Sequence, residues 1–189
     1  MKLLVISPAY ASHYGPLAVL AGAARRSGHR VVVATGPELR RQVTADGFHH
    51  RELRLGRGSN DGTTAADRSL DGFFEATRRG GVATLRHQAT VRSRDLLHEP
   101  VATAGRIFDL LAAECPDAVV IDQVSFGSTL ALHASGHPYI SLGPGHPGQL
   151  PGGAEQYGIP ASWPAAVQPR PDQLRSLETL VERTSERFT

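Results

Sequence analysis

His13 and Asp122, far apart in the chain, are the pair of side chains best placed for acid–base chemistry. A short apolar run stands before each: Leu3 to Ile6 leads into the loop that holds His13, and Ala118 to Ile121 ends in Asp122. A carboxylate beside an imidazole raises its basicity and fixes the proton on one ring nitrogen. The other nitrogen is then free to take a proton from a substrate hydroxyl. Both residues also have plainer uses. A loop histidine often faces water or caps a helix, and an aspartate at a strand's end often caps the next helix, here near Phe126. Among the other histidines, His29 in Ser-Gly-His-Arg reads as structural, and His49 and His50 alternate faces of a strand. His137 and His146 lack a third ligand at usable spacing, so no metal site is expected. One cysteine, Cys115, provides neither a disulfide nor a multi-cysteine metal site, which fits a reducing cytoplasm.

The elements that must position such a pair alternate along the chain. Leu3 to Ile6 is a continuous apolar run of the kind found in a parallel sheet covered on both faces. Pro16 is expected to open a helix whose face carries Leu17, Leu20, Ala21 and Ala24, with Gly28 as its stop. Val31 to Ala34 is a second strand, Pro37 to Ala45 a short helix, and Phe48 to Leu55 a weaker third strand. The polar, glycine-rich stretch from Gly56 to Asp67 reads as a surface loop. From Ser69 to about Ala113 the pattern is helical, with breaks near Gly80-Gly81 and Pro100. Another strand ends in Asp122, a helix covers Phe126 to Ala134, and Tyr139 to Leu142 is the next strand. A loop follows from Gly143 to Pro164. The alternation predicts an α/β fold: a Rossmann-like, doubly wound parallel sheet with right-handed crossovers. Residues 1–165 are expected to form this domain. Residues 166–189 form a terminal helix, spaced by Leu174, Leu177, Leu180 and Val181, that runs to the end without a stop signal.

In open parallel sheets a ligand sits beyond the carboxyl ends of the strands, near the point where strand order reverses. Three loops leave such ends: Ser7 to Gly15, Asp122 to Ser125 and Gly143 to Leu150. If the first and fourth strands are neighbours, His13 and Asp122 converge. Binding of a dinucleotide is disfavoured, because the first turn reads Ser-Pro-Ala-Tyr-Ala-Ser-His-Tyr-Gly-Pro and has a single glycine where the phosphate turn needs Gly-x-Gly-x-x-Gly. No Gly-Lys-Ser/Thr occurs either. A formal net charge of +2, with arginines scattered rather than striped, argues against nucleic acid as a main partner. The first apolar run stops at Ile6 before Ser7-Pro8, too short for a signal peptide, and no later run is long enough to span a bilayer. A cytoplasmic protein is expected.

The stretch from Lys2 to Thr35 resembles the opening of the GT-B glycosyltransferases that decorate antibiotics and other natural products. The features that carry it are the Leu3–Ile6 strand, Ser12-His13-Tyr14-Gly15-Pro16-Leu17, Gly28-His29 and Val31–Thr35. Pro116 to Asp122 looks like the family's later strand, which ends in the aspartate partnering the catalytic histidine, and Gly136 to Leu142 is similar to the next helix stop and strand. The resemblance implies the N-terminal, acceptor-binding half of an inverting, nucleotide-sugar-dependent enzyme acting on a hydroxylated natural product. It assigns His13 as the base and Asp122 as its partner. Many relatives carry an earlier histidine in this loop; aligned on Pro16 that position is Ala11, while other members have only the later one, which His13 fills. The acceptor, aromatic or polyketide-like, is expected to meet Tyr10, Ser12, Tyr14, Phe73, Phe74, Ser125, Phe126 and His146. No cofactor is expected in this chain itself. The nucleotide-sugar donor belongs with a C-terminal domain that the resemblance places either beyond Thr189 or in a separate chain. Without that domain the chain is expected to bind an acceptor but not to transfer sugar efficiently. An auxiliary binding subunit, or a single-domain enzyme using the His–Asp pair, stays open, as does a homodimer.

Overall fold

The structure is a computed structural model that describes residues 1–54, 71–95, 99–143, 158–160 and 162–186. His146, the expected Gly56–Asp67 loop and most of the Gly143–Pro164 loop lie outside the described residues. The chain divides into two compact units, Met1–Thr63 with Asp95–Pro144, and Thr64–Arg94 with Gly145–Thr189.

The first unit contains five strands: β1 (Lys2–Ile6), β2 (Arg30–Thr35), β3 (His49–Glu52), β4 (Ala118–Asp122) and β5 (Tyr139–Leu142). All four neighbouring pairs are parallel, in the order β3-β2-β1-β4-β5. Strand order therefore reverses between β1 and β4, the condition on which the meeting of His13 and Asp122 depended. The helices of this unit are α1 (Ala11–Arg26), α2 (Arg40–Ala45, preceded by a 3-10 turn at Pro37–Leu39), α5 (Pro100–Glu114) and α6 (Phe126–Ser135). Those of the second unit are α3 (Asp71–Arg78), α4 (Gly81–Asp95) and α7 (Pro171–Ser185).

Strand periodicity decides which side chains meet which helices, because alternate residues point to opposite faces. One face carries Leu4, Ile6, Val32, Ala34, Val119 and Ile121, covered through Ile107 and Leu110 of α5 and Ala131 and Leu132 of α6. The other carries Val5, Val31, Val33 and Val120, covered through Tyr14, Leu17 and Ala21 of α1 and Val43 of α2. Helices on both faces make the sheet doubly wound, which is why its central strands are continuously apolar. The lower end is tied by charge. Glu114, at the end of α5 and only 3% exposed, receives Lys2 Nζ at 2.7 Å and the Arg51 guanidinium. Burial pushes the Glu114 carboxyl up, but the bonds and charges of Lys2 and Arg51 together outweigh it and hold it below the ordinary carboxylate range.

The start of α1 differs from the sequence expectation, whereas the breaks near Gly80-Gly81 and Pro100 fall where it put them. Helix α1 starts at Ala11, five residues before Pro16, so His13 stands in a helical first turn rather than in a loop. The carbonyl of Tyr10 accepts the N–H groups of His13 and Tyr14, at 3.0 and 2.9 Å, and closes that turn. Proline forfeits one interior bond, to the carbonyl of Ser12. Both residues are exposed, so water can serve that carbonyl. The expected helical stretch from Ser69 separates into α3, α4 and α5 at the breaks by Gly80 and Pro100.

In the second unit, α7 buries Leu177 and Val181, and α3 buries Ala76. Arg86 of α4 donates to Ser176 Oγ of α7 at 2.7 Å. Phe73 and Phe74 stack edge-on with centroids 5.8 Å apart, and Phe73 also lies 6.4 Å from the His87 ring.

Candidate functional site

Asp122 is the last residue of β4 and alternates with Ile121, so it shares the face of Val120, the face that α1 covers. Because β4 lies beside β1, and α1 follows β1 after a four-residue turn, the first turn of α1 comes to rest over the carboxyl end of β4. His13 and Asp122, separated by 109 positions in the chain, meet there with Nδ1 and Oδ2 2.9 Å apart. Asp122 is fully buried, whereas the His13 side chain is 27% exposed.

A carboxylate can only accept, so Nδ1 donates and the neutral ring keeps its lone pair on Nε2. The other carboxylate oxygen, Oδ1, accepts the Val124 N–H at 2.9 Å. Asp122 therefore has both oxygens engaged by donors from different elements, and its plane is set. The His13 pKa is raised above its ordinary 6.5, first by the hydrogen bond to Asp122; burial opposes the rise and the carboxylate charge adds to it. The result is an imidazole of enhanced basicity, oriented by a buried carboxylate, with one nitrogen available for proton transfer.

The other residues expected in the site are placed variously. Tyr10 is half-buried beside His13, the ring centroids 6.0 Å apart, and Ser12 is exposed on the same turn. Ser125 and Phe126 open α6 just beyond Asp122, the first buried and the second half-buried. Tyr14 is different: it is wholly buried among Leu17, Val33 and Val43, with its hydroxyl donating to Asp46 at 2.7 Å. Burial, together with Asp46, pushes its phenol pKa well up. Its place is in the core, because one helical step from His13 turns the side chain from the strand ends toward the sheet. Phe73 and Phe74 belong to the second unit and are described with it. His50 Nε2 lies 3.2 Å from the Thr35 carbonyl at the end of β2. Among the described residues no cluster of three or more His, Cys, Asp or Glu side chains could hold a metal ion. No helix is long and apolar enough to cross a membrane there either.

Two contributors escaped sequence reasoning. The Val124 N–H that orients Asp122 is a backbone group, so residue type gives no signal for it. The second is the pairing of Gln123 with Gly143. A Cβ on Gly143 would fall 2.6 Å from Gln123 Oε1, and the Gln123 N–H bonds the Leu142 carbonyl at 2.9 Å. These contacts stitch the loop after β4 to the end of β5.

Solved structures with the same architecture place it. A glycosyltransferase of Streptomyces sp. SF2575 superposes over 75% of this chain and 38% of its own, with TM-score 0.50 and 22% identity. The spinosyn rhamnosyltransferase SpnG matches over 75% of this chain and 34% of its own, with TM-score 0.55 and 19% identity. For the glycosyltransferase VinC in complex with dTDP, 98% of this chain and 39% of that one are covered, with TM-score 0.55 and 15% identity. The chain has a GT-B glycosyltransferase-like fold. At these identities the likeness is one of fold, and this chain spans less than two fifths of the length of those structures. No protein-family profile matches the sequence, and no curated protein does.

Proposed function

We propose that this chain is the acceptor-binding part of an inverting, nucleotide-sugar-dependent glycosyltransferase, with His13 as the base. The observation that carries the reading is the 2.9 Å contact of His13 Nδ1 with buried Asp122 at the reversal point of the sheet. The fold relatives support it: SpnG has been solved with spinosyn aglycone and with thymidine diphosphate. In the proposed reaction His13 Nε2 takes the proton of an acceptor hydroxyl as its oxygen attacks the anomeric carbon. The bond from that carbon to the diphosphate oxygen breaks, nucleoside diphosphate leaves with the electron pair, and the anomeric centre inverts. Asp122 steadies the imidazolium formed at His13. Tyr10, Ser12 and Phe126 are the described residues proposed to touch the acceptor beside this pair. The donor is assigned to a separate domain.

Calorimetry on this chain tests the division of labour: aglycones are expected to bind and nucleotide sugars are not. Tight nucleotide-sugar binding would overturn it. In the protein completed by its donor domain, His13→Ala is expected to lower transfer by about 10²–10⁴-fold, the usual contribution of a positioned base. Undiminished turnover would remove His13 from the mechanism.

A further inference from the structure

The residue after Asp122 is held in place without an internal hydrogen bond to hold it. Gln123 extends the ladder of β4 by one step, its N–H bonding the Leu142 carbonyl at 2.9 Å. Its carboxamide then lies across the end of β5, against Gly143. A Cβ on Gly143 would fall 2.6 Å from Gln123 Oε1 and 3.5 Å from Nε2, so glycine is what leaves the amide its room. Gly143 has no positive φ that would call for glycine on other grounds. The carboxamide itself makes no hydrogen bond among the described residues, and the half-buried residue still meets solvent. Confining a glutamine costs rotamer freedom, and no bond within the described chain offsets that loss. A ligand would meet an amide whose freedom is already restricted, which favours binding.

Position and chemistry select the ligand. Gln123 lies one peptide unit, about 3.8 Å between Cα atoms, from Asp122, whose Oδ2 holds His13. Side chains alternate along a strand, so Asp122 leaves β4 toward α1 and Gln123 leaves it on the other side. Both stand at the carboxyl end of β4, beside the reversal of strand order, where open parallel sheets seat their ligands. A molecule lying across the strand ends meets His13 on one side of β4 and the Gln123 amide on the other. An anionic group is opposed there by the Asp122 carboxylate. The carboxamide is neutral and carries both a donor and an acceptor. A neutral hydroxyl suits it whichever way the amide is turned, accepting from Nε2–H or donating to Oε1.

We propose that Gln123, given room by Gly143, is a specificity-determining residue that binds a second hydroxyl of the acceptor, so that polyhydroxylated molecules are favoured over those with one hydroxyl. The proposal rests on the acceptor-binding reading above, and its test separates the two. The full chain is titrated with two diols of different span, resorcinol and 2,7-dihydroxynaphthalene. Each is set beside the counterpart with a methyl group for one hydroxyl, 3-methylphenol and 7-methyl-2-naphthol. The His13 ring resonances report arrival. At least one diol is expected to bind about threefold to tenfold more tightly than its counterpart, the worth of one net hydrogen bond. Gln123→Ala should erase that preference and leave the affinity for the methyl compounds unchanged. Gly143→Ala, whose Cβ displaces the tip of Gln123, should erase it as well, and the double variant should lose no more than either alone. Equal affinity within both pairs in the unaltered chain overturns the hydroxyl subsite while leaving the acceptor reading intact. A lower thermal midpoint in Gln123→Ala with the diol preference preserved would assign the amide to structure and overturn it too. If no probe moves the His13 resonances, both readings fall together.

Discussion

Replacing Asp122 by Asn keeps the shape of the pair and changes only its proton logic. Asp122 accepts at two points, His13 Nδ1–H at Oδ2 and Val124 N–H at Oδ1. An asparagine has one accepting oxygen, so it can serve only one of these donors. If the oxygen stays with Val124, the NH₂ group faces His13 and donates to Nδ1. The ring must then carry its proton on Nε2, where no base remains. If the amide flips, His13 keeps its tautomer but Val124 N–H faces a second donor. Either way about one charge-assisted hydrogen bond is lost, roughly 1.5–3 kcal/mol. Nitrogen-detected NMR of the His13 ring is the direct assay, and Asp122→Asn should show the proton moved to Nε2 or His13 titrating at lower pH than in the unaltered chain. Under the proposed base role, sugar transfer should also fall by about 10²–10⁴-fold.

Stability provides an independent readout with a definite sign. Because the folded-state pKa of His13 lies above 6.5, the pair's contribution is fully present below that pH and is lost as pH rises through the folded value. The stability gap between the unaltered chain and Asp122→Asn should therefore be widest near about pH 5–6 and narrow toward alkaline pH. A His13 titration identical in the two proteins, with Nε2 unprotonated in both, would refute the orientation argument.

Two further perturbations probe the scaffold. Glu114→Gln should destabilise the fold by about 1–3 kcal/mol in urea denaturation, since Lys2 loses its buried counter-charge. The exposed Arg51 adds little to that figure. Because the Glu114 pKa is lowered in the fold, its stabilisation is present above the unfolded value of about 4.3 and disappears as pH falls below it. The variant should thus converge on the unaltered chain in acid, and parallel curves down to low pH would contradict this. Tyr14→Phe removes the hydroxyl bond to Asp46 and should lower stability by about 1 kcal/mol while leaving aglycone affinity unchanged, as measured by calorimetry. Weakened binding at unchanged stability would place Tyr14 in the acceptor wall after all.

The legible and the illegible parts of this protein divide along a physical line. The strands at Leu3, Val31 and Ala118 were readable because a parallel sheet buried on both faces demands unbroken apolar runs, and the neighbourhood of β1 and β4 followed from the doubly wound order. From these alone His13 and Asp122 converge. What was not readable depends on single-residue angular position. Tyr14 was expected to meet the acceptor along with Tyr10, as a residue of a loop; in a helix successive side chains diverge by about 100°, which turns Tyr14 away from His13 and into the core. The error traces to Pro16, which marks a first helical position when its missing N–H falls among the orphans, but which here lies five residues inside the helix. The same reasoning explains why the alternative role of Asp122 was half right. Its carboxylate does take a backbone N–H, that of Val124, yet Ser125 holds the N-cap position. The two contacts are not rivals at this aspartate, because the oxygen that binds Val124 is what fixes the oxygen that faces His13. A variant that frees the first should therefore loosen the second, and Asp122→Glu, one methylene longer, should disturb the His13 resonances even though its charge is unchanged.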